Sequence, residues 1–370
     1  MKEMPVSYRI VNRQAILYNL MAIRKSVPSS IDMMAVIKND AYGHGAVETA
    51  SLAEKCGFSS LGTARVDEAV TLREAGISLP LFILGDADRE DWQKAVVFNF
   101  ILPLDKDAPL EQIHQWAMTQ GKTVSVMIPV DTGLHRIGIS PEEVIPFLEK
   151  VQSYSNIRVK GFFTQLADPE SKEKKISFRQ LERWNCVRKA VEHAYPDGKY
   201  IFSAADSAAL EDIKESWGNL VRAGSLIYGI QPSQDIKNPI SVIPAMEIHS
   251  RVTHILKVSK GETVGYDGTW TAEKDTCLAV IPVGYGDGYR RSLSGKASVL
   301  IGGRRRKIRG LICMDQMMVE GDSTIRAGDE VVLVGKQKNE KIEAEELADL
   351  ADANPHEWLG GFRRLPLVWR

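Results

Sequence analysis

The sequence predicts an α/β barrel followed by a mostly antiparallel β domain. Eight short runs rich in Val, Ile, Leu and Phe precede Pro239, most of them are followed by a helix-like stretch, and shorter alternating runs separated by Gly, Asp and Lys take over after it. Near-continuous apolar strands alternating with helices are typical of a buried parallel sheet, and eight such units make a (β/α)₈ TIM-like barrel. We therefore predict the barrel over residues 1–239 and the β domain over residues 240–370.

The predicted elements follow from these runs in chain order. The barrel strands are expected within residues 31–38, 58–64, 79–85, 99–104, 123–131, 157–167, 200–207 and 219–229. Helix-like stretches include 46–57, 66–76 and 178–194. Because the gap between the seventh and eighth runs is short, that boundary is the least defined. In the second domain, strands are expected within 245–258, 277–283, 297–301, 307–313 and 330–334, with a helix at 344–353.

Composition and charge exclude several functional classes. The 370 residues carry a formal net charge of -1, so no charge excess indicates nucleic acid or an anionic membrane. The basic cluster 304–307 follows a Gly-Gly turn, which favours a solvated hairpin. Four cysteines lie far apart without a C-x-x-C pair, which argues against a disulfide framework or a zinc site. The polar start lacks the apolar core of a signal peptide, so we expect a cytoplasmic enzyme.

Lys38 is the first candidate for chemistry. It ends the apolar run Met33–Ile37 and is followed by Asn39–Gly45. Position alone favours an exposed lysine at a strand end, but the carboxyl ends of barrel strands face the active site. A desolvated lysine with a lowered pKa can form a Schiff base with an aldehyde. The sequence therefore predicts either a surface lysine or a covalent cofactor anchor.

The segments that end strands seven and eight are the candidate phosphate site. Ser203–Ser207 and Arg222–Ser225 combine small residues, hydroxyls and backbone amides. Loops after these two strands recur as the phosphate site of barrels, and a following helix N-terminus favours an anion. An ordinary helix N-cap would explain Ser203–Ser207 alone. Two such loops at the expected place favour phosphate binding.

Four further segments are candidates, and the first of them has two interpretations. Asp131–Gly138 ends strand five and carries Arg136, which is either a surface side chain or a carboxylate-binding one. The other three lie in the second domain and, each taken alone, are predicted to be turns, two of them with surface tyrosines: Val264–Trp270, Gly284–Tyr289 and Cys313–Gln316.

Five motifs together resemble alanine racemase, a fold type III pyridoxal-phosphate enzyme. One Gly-rich turn is weak evidence, but five ordered motifs that cover most of the chain are strong. The resemblance implies a barrel followed by a β domain, pyridoxal 5'-phosphate as cofactor, an amino-acid substrate and a head-to-tail homodimer. The motifs are Val36–Gly45, Asp131–Gly138, Arg222–Gly229, Gly284–Tyr289 and Met314–Gln316.

The resemblance also implies residue roles. Lys38 would bind the cofactor and act as one base, and Tyr266, supplied by the other subunit, would act as the second base. Within the cofactor set, Arg222 would face the ring nitrogen; Tyr285 would line the mouth of the site. The implied cofactor-binding residues are Lys38, Tyr42, Gln165, Asp206, Ser207, Arg222, Gly224 and Ser225. The implied substrate-binding residues are Arg136, Tyr285, Met314 and Asp315, and no metal ligand is implied.

The reaction explains why these residue types are needed. Removing a proton from Cα requires an electron sink, which the cofactor supplies. Racemisation then needs two groups on opposite faces that can each take and return a proton. Lysine and tyrosine both titrate near 10, so their surroundings must tune them for neutral pH.

Several positions depart from the family pattern. Pro129 stands where the family often has a modified lysine that steadies the arginine. Gln165 replaces a histidine that supports the ring-nitrogen arginine, and Asp206 and Asp40 replace asparagines. His356 replaces a phosphate-binding tyrosine. These changes predict a racemase acting on alanine or a related amino acid such as serine.

Three alternatives stay open. A barrel-type decarboxylase with the same cofactor shares the general architecture, but the Tyr266 and Met314–Gln316 segments favour a racemase. A non-catalytic cofactor carrier resembles the barrel alone, and the long second domain argues against it. A paralogue with weak activity or a broad substrate range is kept open by Pro129 and Gln165.

Overall fold

The chain divides into two compact units. The computed structural model describes residues 5–370. One unit comprises Ala15–Ala41 and Ala46–Ile243, and the other comprises the described residues up to Gln14 together with Tyr42–Gly45 and Pro244–Arg370. The domain boundary at residues 239/240 stays a prediction. Within residues 5–370, no helix combines the length and apolar character needed to cross a bilayer.

The first unit is built on an eight-stranded parallel sheet. β1 (Tyr8–Val11) precedes it in sequence but pairs in the second unit. Each of the eight predicted apolar runs contains one strand, so the predicted barrel is confirmed. Along the sheet the order is β8-β7-β6-β5-β4-β3-β2-β9. The strands are β2 (Asp32–Val36), β3 (Ser60–Thr63), β4 (Leu81–Ile83), β5 (Ile101–Pro103), β6 (Val124–Pro129), β7 (Ile157–Phe163), β8 (Ile201–Ser203) and β9 (Leu220–Ala223).

Two backbone hydrogen bonds span the seam between β8 and β9. The amide of Asn219 donates to Phe202 at 3.2 Å and the amide of Arg222 donates to Ala205 at 3.0 Å, which nearly closes the barrel. Its interior is filled by buried apolar side chains from five strands, as a packed barrel core requires. These are Met34, Phe82, Ile101, Met127 and Leu220, with Leu84, Phe163 and Ile201 packed against them.

Helices alternate with these strands as the sequence predicts. The exception is α2 (Lys38–Tyr42), which is a left-handed turn rather than an ordinary helix. The others up to Ile243 are α1 (Arg13–Ser26), α3 (Ala46–Lys55), α4 (Val66–Glu74), α5 (Arg89–Phe98), α6 (Leu110–Thr119), α7 (Val144–Gln152), α8 (Lys175–Ala194) and α9 (Ser207–Asp212).

The second unit is a ten-stranded sheet with a small two-stranded ribbon. All of its ladders are antiparallel except that between β1 and β20. The sheet strands after β1 are β10 (Met246–Arg251), β11 (His254–Val258), β14 (Thr276–Ile281), β15 (Ser298–Ile301), β16 (Arg304–Arg309), β17 (Met317–Gly321), β18 (Glu330–Gln337), β19 (Glu340–Ile342) and β20 (Leu367–Trp369). The ribbon pairs β12 (Thr263–Val264) with β13 (Trp270–Thr271), and the helices are α10 (Ala344–Leu350) and α11 (Pro355–Gly360).

The basic cluster 304–307 lies on β16, directly after the Gly302-Gly303 turn. β16 therefore begins three residues before the predicted run 307–313, because Arg304 pairs with Ile301 across the turn. Arg305 pairs with Glu346 and Arg306 with Asp322, each at 2.5 Å. The hairpin expected from the sequence is confirmed, and these two of its four basic residues are paired with carboxylates.

Candidate active site

Lys38 lies two residues beyond the end of β2. The amide of Ile37 still donates to Gly62 at 2.8 Å, so the chain keeps the direction of the strand up to this side chain. The pKa of Lys38 is lowered, first by burial and then by the positive charges of Arg136 and Arg222, while Glu68 opposes the shift. The amine is therefore neutral over a wider pH range than that of an exposed lysine, as a nucleophile or base requires.

The residues that follow Lys38 adopt left-handed backbone. Asn39, Asp40, Ala41 and Tyr42 have φ angles of 58°, 55°, 53° and 55°. This conformation costs roughly 1–2 kcal/mol per non-glycine residue. Local hydrogen bonds offset the cost: Ala41 donates to the Ile37 carbonyl at 2.9 Å and Ala46 donates to Asp40 Oδ1 at 2.9 Å. Backbone strain of this kind is concentrated at functional sites.

Arg222, on β9, is buried and bonds to two segments, the end of β8 and the residues that follow β7. Its Nη1 donates to the Ser203 carbonyl and hydroxyl at 2.9 and 2.7 Å. Its Nη2 donates to the Thr164 carbonyl at 2.8 Å and to Gln165 Oε1 at 3.1 Å. Burial and Arg136 lower the pKa of Arg222 to about 10, although Asp206 opposes the shift. The guanidinium therefore stays charged at neutral pH.

Gln165 and Asp206 extend this network. Gln165 Nε2 donates to Asp206 Oδ2 at 2.7 Å, while Asp206 Oδ1 accepts from the Ala209 amide at 3.0 Å and caps α9. One amide thus connects the guanidinium of Arg222 to a carboxylate. Both side chains bond within this network of the barrel unit. Their role as cofactor-binding residues stays a prediction.

The two loops predicted to bind phosphate meet in space. Ser207 Oγ accepts a hydrogen bond from the Gly224 amide at 2.8 Å, and both Ser207 and Ser225 are buried. Within the part of the chain that is described, no group accepts from the amides of Ser207 or Ser225. Free amides at the start of two helical turns are suited to an anion.

The loop that leads to Arg136 is shaped by Asp131. Asp131 Oδ1 accepts from the amides of Gly133 and His135 at 2.9 and 3.0 Å, which shapes the loop before Arg136. Pro129 contributes only its carbonyl, which accepts from Ile139 at 3.0 Å. No carboxylate among residues 5–370 pairs with Arg136. Together with Arg222, it creates an excess of positive charge suited to anionic ligands.

Tyr42 lies in the second unit, against His356. Their ring centroids are 5.2 Å apart with planes at 65°, an edge-to-face contact. Arg9 donates to the Gly43 carbonyl and, at 2.9 Å, to that of Leu365. His356, which stands where the family has a phosphate-binding tyrosine, thus packs against Tyr42, one of the implied cofactor-binding residues.

Tyr266 is presented to solvent by the two-stranded ribbon. It begins a short 3₁₀ turn between β12 and β13, and its side chain is 68% exposed. The next residue, Asp267, has a φ of 59°, which reverses the chain.

Tyr285, Met314 and Asp315 lie on adjacent loops of the second unit. The Tyr285 amide donates to Cys313 at 3.0 Å and the Gly286 amide donates to the Met314 carbonyl at 2.8 Å. Both Tyr285 and Met314 are exposed. The structure thus groups the three predicted substrate-binding residues of the second unit. The fourth, Arg136, lies in the barrel unit.

Glu68 was missed by the sequence reasoning. It lies in the first turn of α4, and its Oε1 accepts from the amide of Asn39 while its Oε2 accepts from Ala64 at 2.9 Å and Arg65 at 3.2 Å. A carboxylate three residues after a helix cap is a recognisable signature, but its long-range contact is invisible in the sequence.

Comparison with known proteins agrees with this geometry. Residues 11–232 match the family model for the alanine racemase N-terminal domain, and residues 245–369 match the model for the C-terminal domain. An alanine racemase of Carboxydothermus hydrogenoformans is 37% identical over 364 residues, covering 97% of this chain and 98% of the relative.

Solved structures show the same similarity. An alanine racemase of Clostridium difficile 630 superposes with a TM-score of 0.94 at 31% identity, covering 100% of this chain and 97% of the other. A histidine racemase of Leuconostoc mesenteroides superposes with a TM-score of 0.89 at 27% identity, covering 99% and 98%. Racemases of different substrates thus share this architecture.

Proposed function

The chain belongs to the alanine racemase family and is an amino-acid racemase, an isomerase; from this membership we propose that Lys38 and Tyr266 are its two proton-transfer groups and that pyridoxal 5'-phosphate is its cofactor. The observation that carries the proposal is the desolvated amine of Lys38 at the mouth of the barrel, beside Arg136 and Arg222.

The residues at the site fit the proposed cofactor. An amine with a lowered pKa suits covalent attachment to an aldehyde. The unengaged amides of Ser207 and Ser225, with Gly224 between the loops, suit a phosphate group. The two neighbouring arginines, Arg136 and Arg222, suit a ligand with negative charges. When bound, the cofactor supplies the electron sink that acidifies Cα.

The protein's own groups then hold and move the proton. We propose that Lys38 Nζ takes or returns it on one face and that the Tyr266 hydroxyl does so on the other. Arg136 is proposed to hold the substrate carboxylate through its paired N–H donors, with the Met314 backbone and Asp315 beside it and Tyr285 at the mouth. Arg222, fixed by its hydrogen bonds, is proposed to keep a positive charge at the ring nitrogen and so to disfavour its protonation.

A homodimer is proposed to complete the site. Tyr266, Tyr285 and Met314 are all exposed on the single chain. Catalytic and substrate-contacting groups need shielding from water, which a second copy of the chain would supply. In this arrangement Tyr266 of one subunit serves Lys38 of the other.

The proposed substrate is alanine or a related amino acid such as serine. Pro129 leaves Arg136 without the support that the family often has, and the histidine racemase among the structural relatives has a similar overall structure. We also propose a cytoplasmic location, which the four free cysteines support.

Two measurements test the proposal. Purified full-length protein incubated with pyridoxal 5'-phosphate and reduced with borohydride should carry the cofactor on Lys38, as read by peptide mass spectrometry. A panel of L- and D-amino acids that includes alanine, serine and histidine should then show Cα exchange and inversion in deuterated water. Protein that neither takes up the cofactor nor exchanges a Cα proton would refute the proposal.

A further inference from the structure

Glu68 connects the helix after β3 to the turn that carries Lys38. One oxygen of its carboxylate accepts from the amides of Ala64 and Arg65, which belong to the start of its own helix. The other oxygen accepts from the amide of Asn39, the residue directly after Lys38. A single side chain thus joins a rigid helix terminus to the first left-handed residue of α2.

The direction of the Lys38 side chain depends on that turn. Asn39 to Tyr42 all have positive φ, which is costly for non-glycine residues and persists only where surrounding contacts fix it. The Asp40 and Ala41 contacts lie further along the turn. Glu68 provides the contact at the residue that adjoins Lys38.

Glu68 also contributes to the charge balance around the amine. Charged side chains that act on Lys38 include Arg136, Arg222 and Glu68. Both arginines favour the neutral amine, and Glu68 opposes them. A base that also returns a proton must carry it for part of each cycle, and an amine among uncompensated cations would hold a proton poorly.

We propose that Glu68 is a positioning residue of this racemase: it fixes the turn after Lys38 and places a carboxylate that lets the amine accept a proton beside two arginines. The proposal rests on the proposed function of Lys38. Glu68 itself touches neither substrate nor cofactor, and it acts through Lys38.

Glu68→Gln tests the proposal because it removes the charge and keeps one acceptor oxygen. Glu74→Gln is the matched control, since Glu74 is an exposed residue in the last turn of the same helix. The pKa of Lys38 can be measured in the cofactor-free full chain from the pH dependence of its acetylation by trace acetic anhydride, read by peptide mass spectrometry. We expect a lower pKa in Glu68→Gln and the wild-type pKa in Glu74→Gln.

Kinetics of the cofactor-loaded enzyme supply the second measurement. Misplacing the base should lower kcat by about 10- to 100-fold in Glu68→Gln with little change in KM, because substrate contacts are retained. Glu68→Asp keeps the charge, but its side chain is too short to accept from the Asn39 amide and from the amides before α4 at the same time. It should show a smaller fall in the pKa of Lys38 and a reduced kcat, and it replaces Glu68→Gln if that variant does not fold.

The outcomes separate the inference from the proposed function. If the wild-type chain takes up no cofactor at Lys38, the proposed function fails. If it does, and the Lys38 pKa and kcat of the Glu68 variants equal those of Glu74→Gln, only the positioning role of Glu68 is refuted.

Discussion

Replacing Arg222 by lysine should destabilise the barrel although the charge is kept. The guanidinium uses two nitrogens to reach acceptors on separate loops, Ser203 on one side and Thr164 with Gln165 on the other. A lysine has one nitrogen on a flexible stem and can satisfy only one of these groups. If that nitrogen bonds to Ser203, the carbonyl of Thr164 and Oε1 of Gln165 lose their donor.

The expected magnitude follows from the number of acceptors left. Two unsatisfied buried acceptors cost about 1–3 kcal/mol each, so we expect Arg222→Lys to lower the free energy of unfolding by about 4 kcal/mol. For a unit of barrel size, 1 kcal/mol corresponds to about 2–4 °C, which predicts a fall of about 8–16 °C in Tm.

Differential scanning calorimetry of the full chain measures this shift. Arg188→Lys is the control, because Arg188 is a half-exposed residue paired with Glu192 on α8 and its substitution should change the free energy of unfolding by less than about 0.5 kcal/mol. Equal Tm values for the two variants would refute the reasoning that Arg222 holds the loops of the barrel together.

Three other predictions follow from single residues. Tyr266→Phe should slow Cα proton exchange from one enantiomer by about 10²- to 10⁴-fold and from the other much less; equal losses in both directions would contradict the two-base scheme. Burial raises the pKa of Glu211 from 4.5 to about 7, so between these values the folded chain keeps a proton that the unfolded chain releases, and stability falls as pH rises through this window. Thermal unfolding of Glu211→Gln should lack this loss, and parallel pH profiles for variant and wild type would contradict the assignment. Gly284→Ala should raise KM and lower Tm, since an added Cβ would lie 2.2 Å from the Cys313 carbonyl and 2.3 Å from that of Met314; unchanged values would show that this loop yields freely.

The predicted fold is confirmed because its signal is repeated along the chain. Every apolar run assigned to the barrel contains a strand, since burial on both faces demands continuous Val, Ile, Leu and Phe. Some short strands of the second unit were missed because their sequences carry no repeated signal. β17 and β20 take their places from their neighbours in the sheet, and no local pattern of three to five residues separates such strands from loops.

The arrangement of the candidate site was likewise predicted only in part from the sequence. Residue types and order indicated Lys38, Arg222 and the loops at Ser207 and Gly224 as a group, and the structure brings them together within the barrel unit. Sequence order also placed Tyr266, but the structure of one chain leaves that side chain in solvent. Its catalytic role remains a prediction for the Tyr266→Phe experiment.

The sequence by itself determined the fold class, a barrel with a mostly antiparallel β domain, and indicated candidate residues for the chemistry, because hydrophobic periodicity and motif order can be read from short stretches of the chain. The tertiary structure decided how those residues are held. It supplied the left-handed turn after Lys38, the Glu68 contact across to Asn39, and the path from Arg222 through Gln165 to Asp206. The hydrogen bonds join residues about 30 to 60 positions apart. Pairing of β2 with β3 and of β7 with β8 brings the partners of the first and third contacts together, and the seam between β8 and β9 brings Arg222 to Gln165.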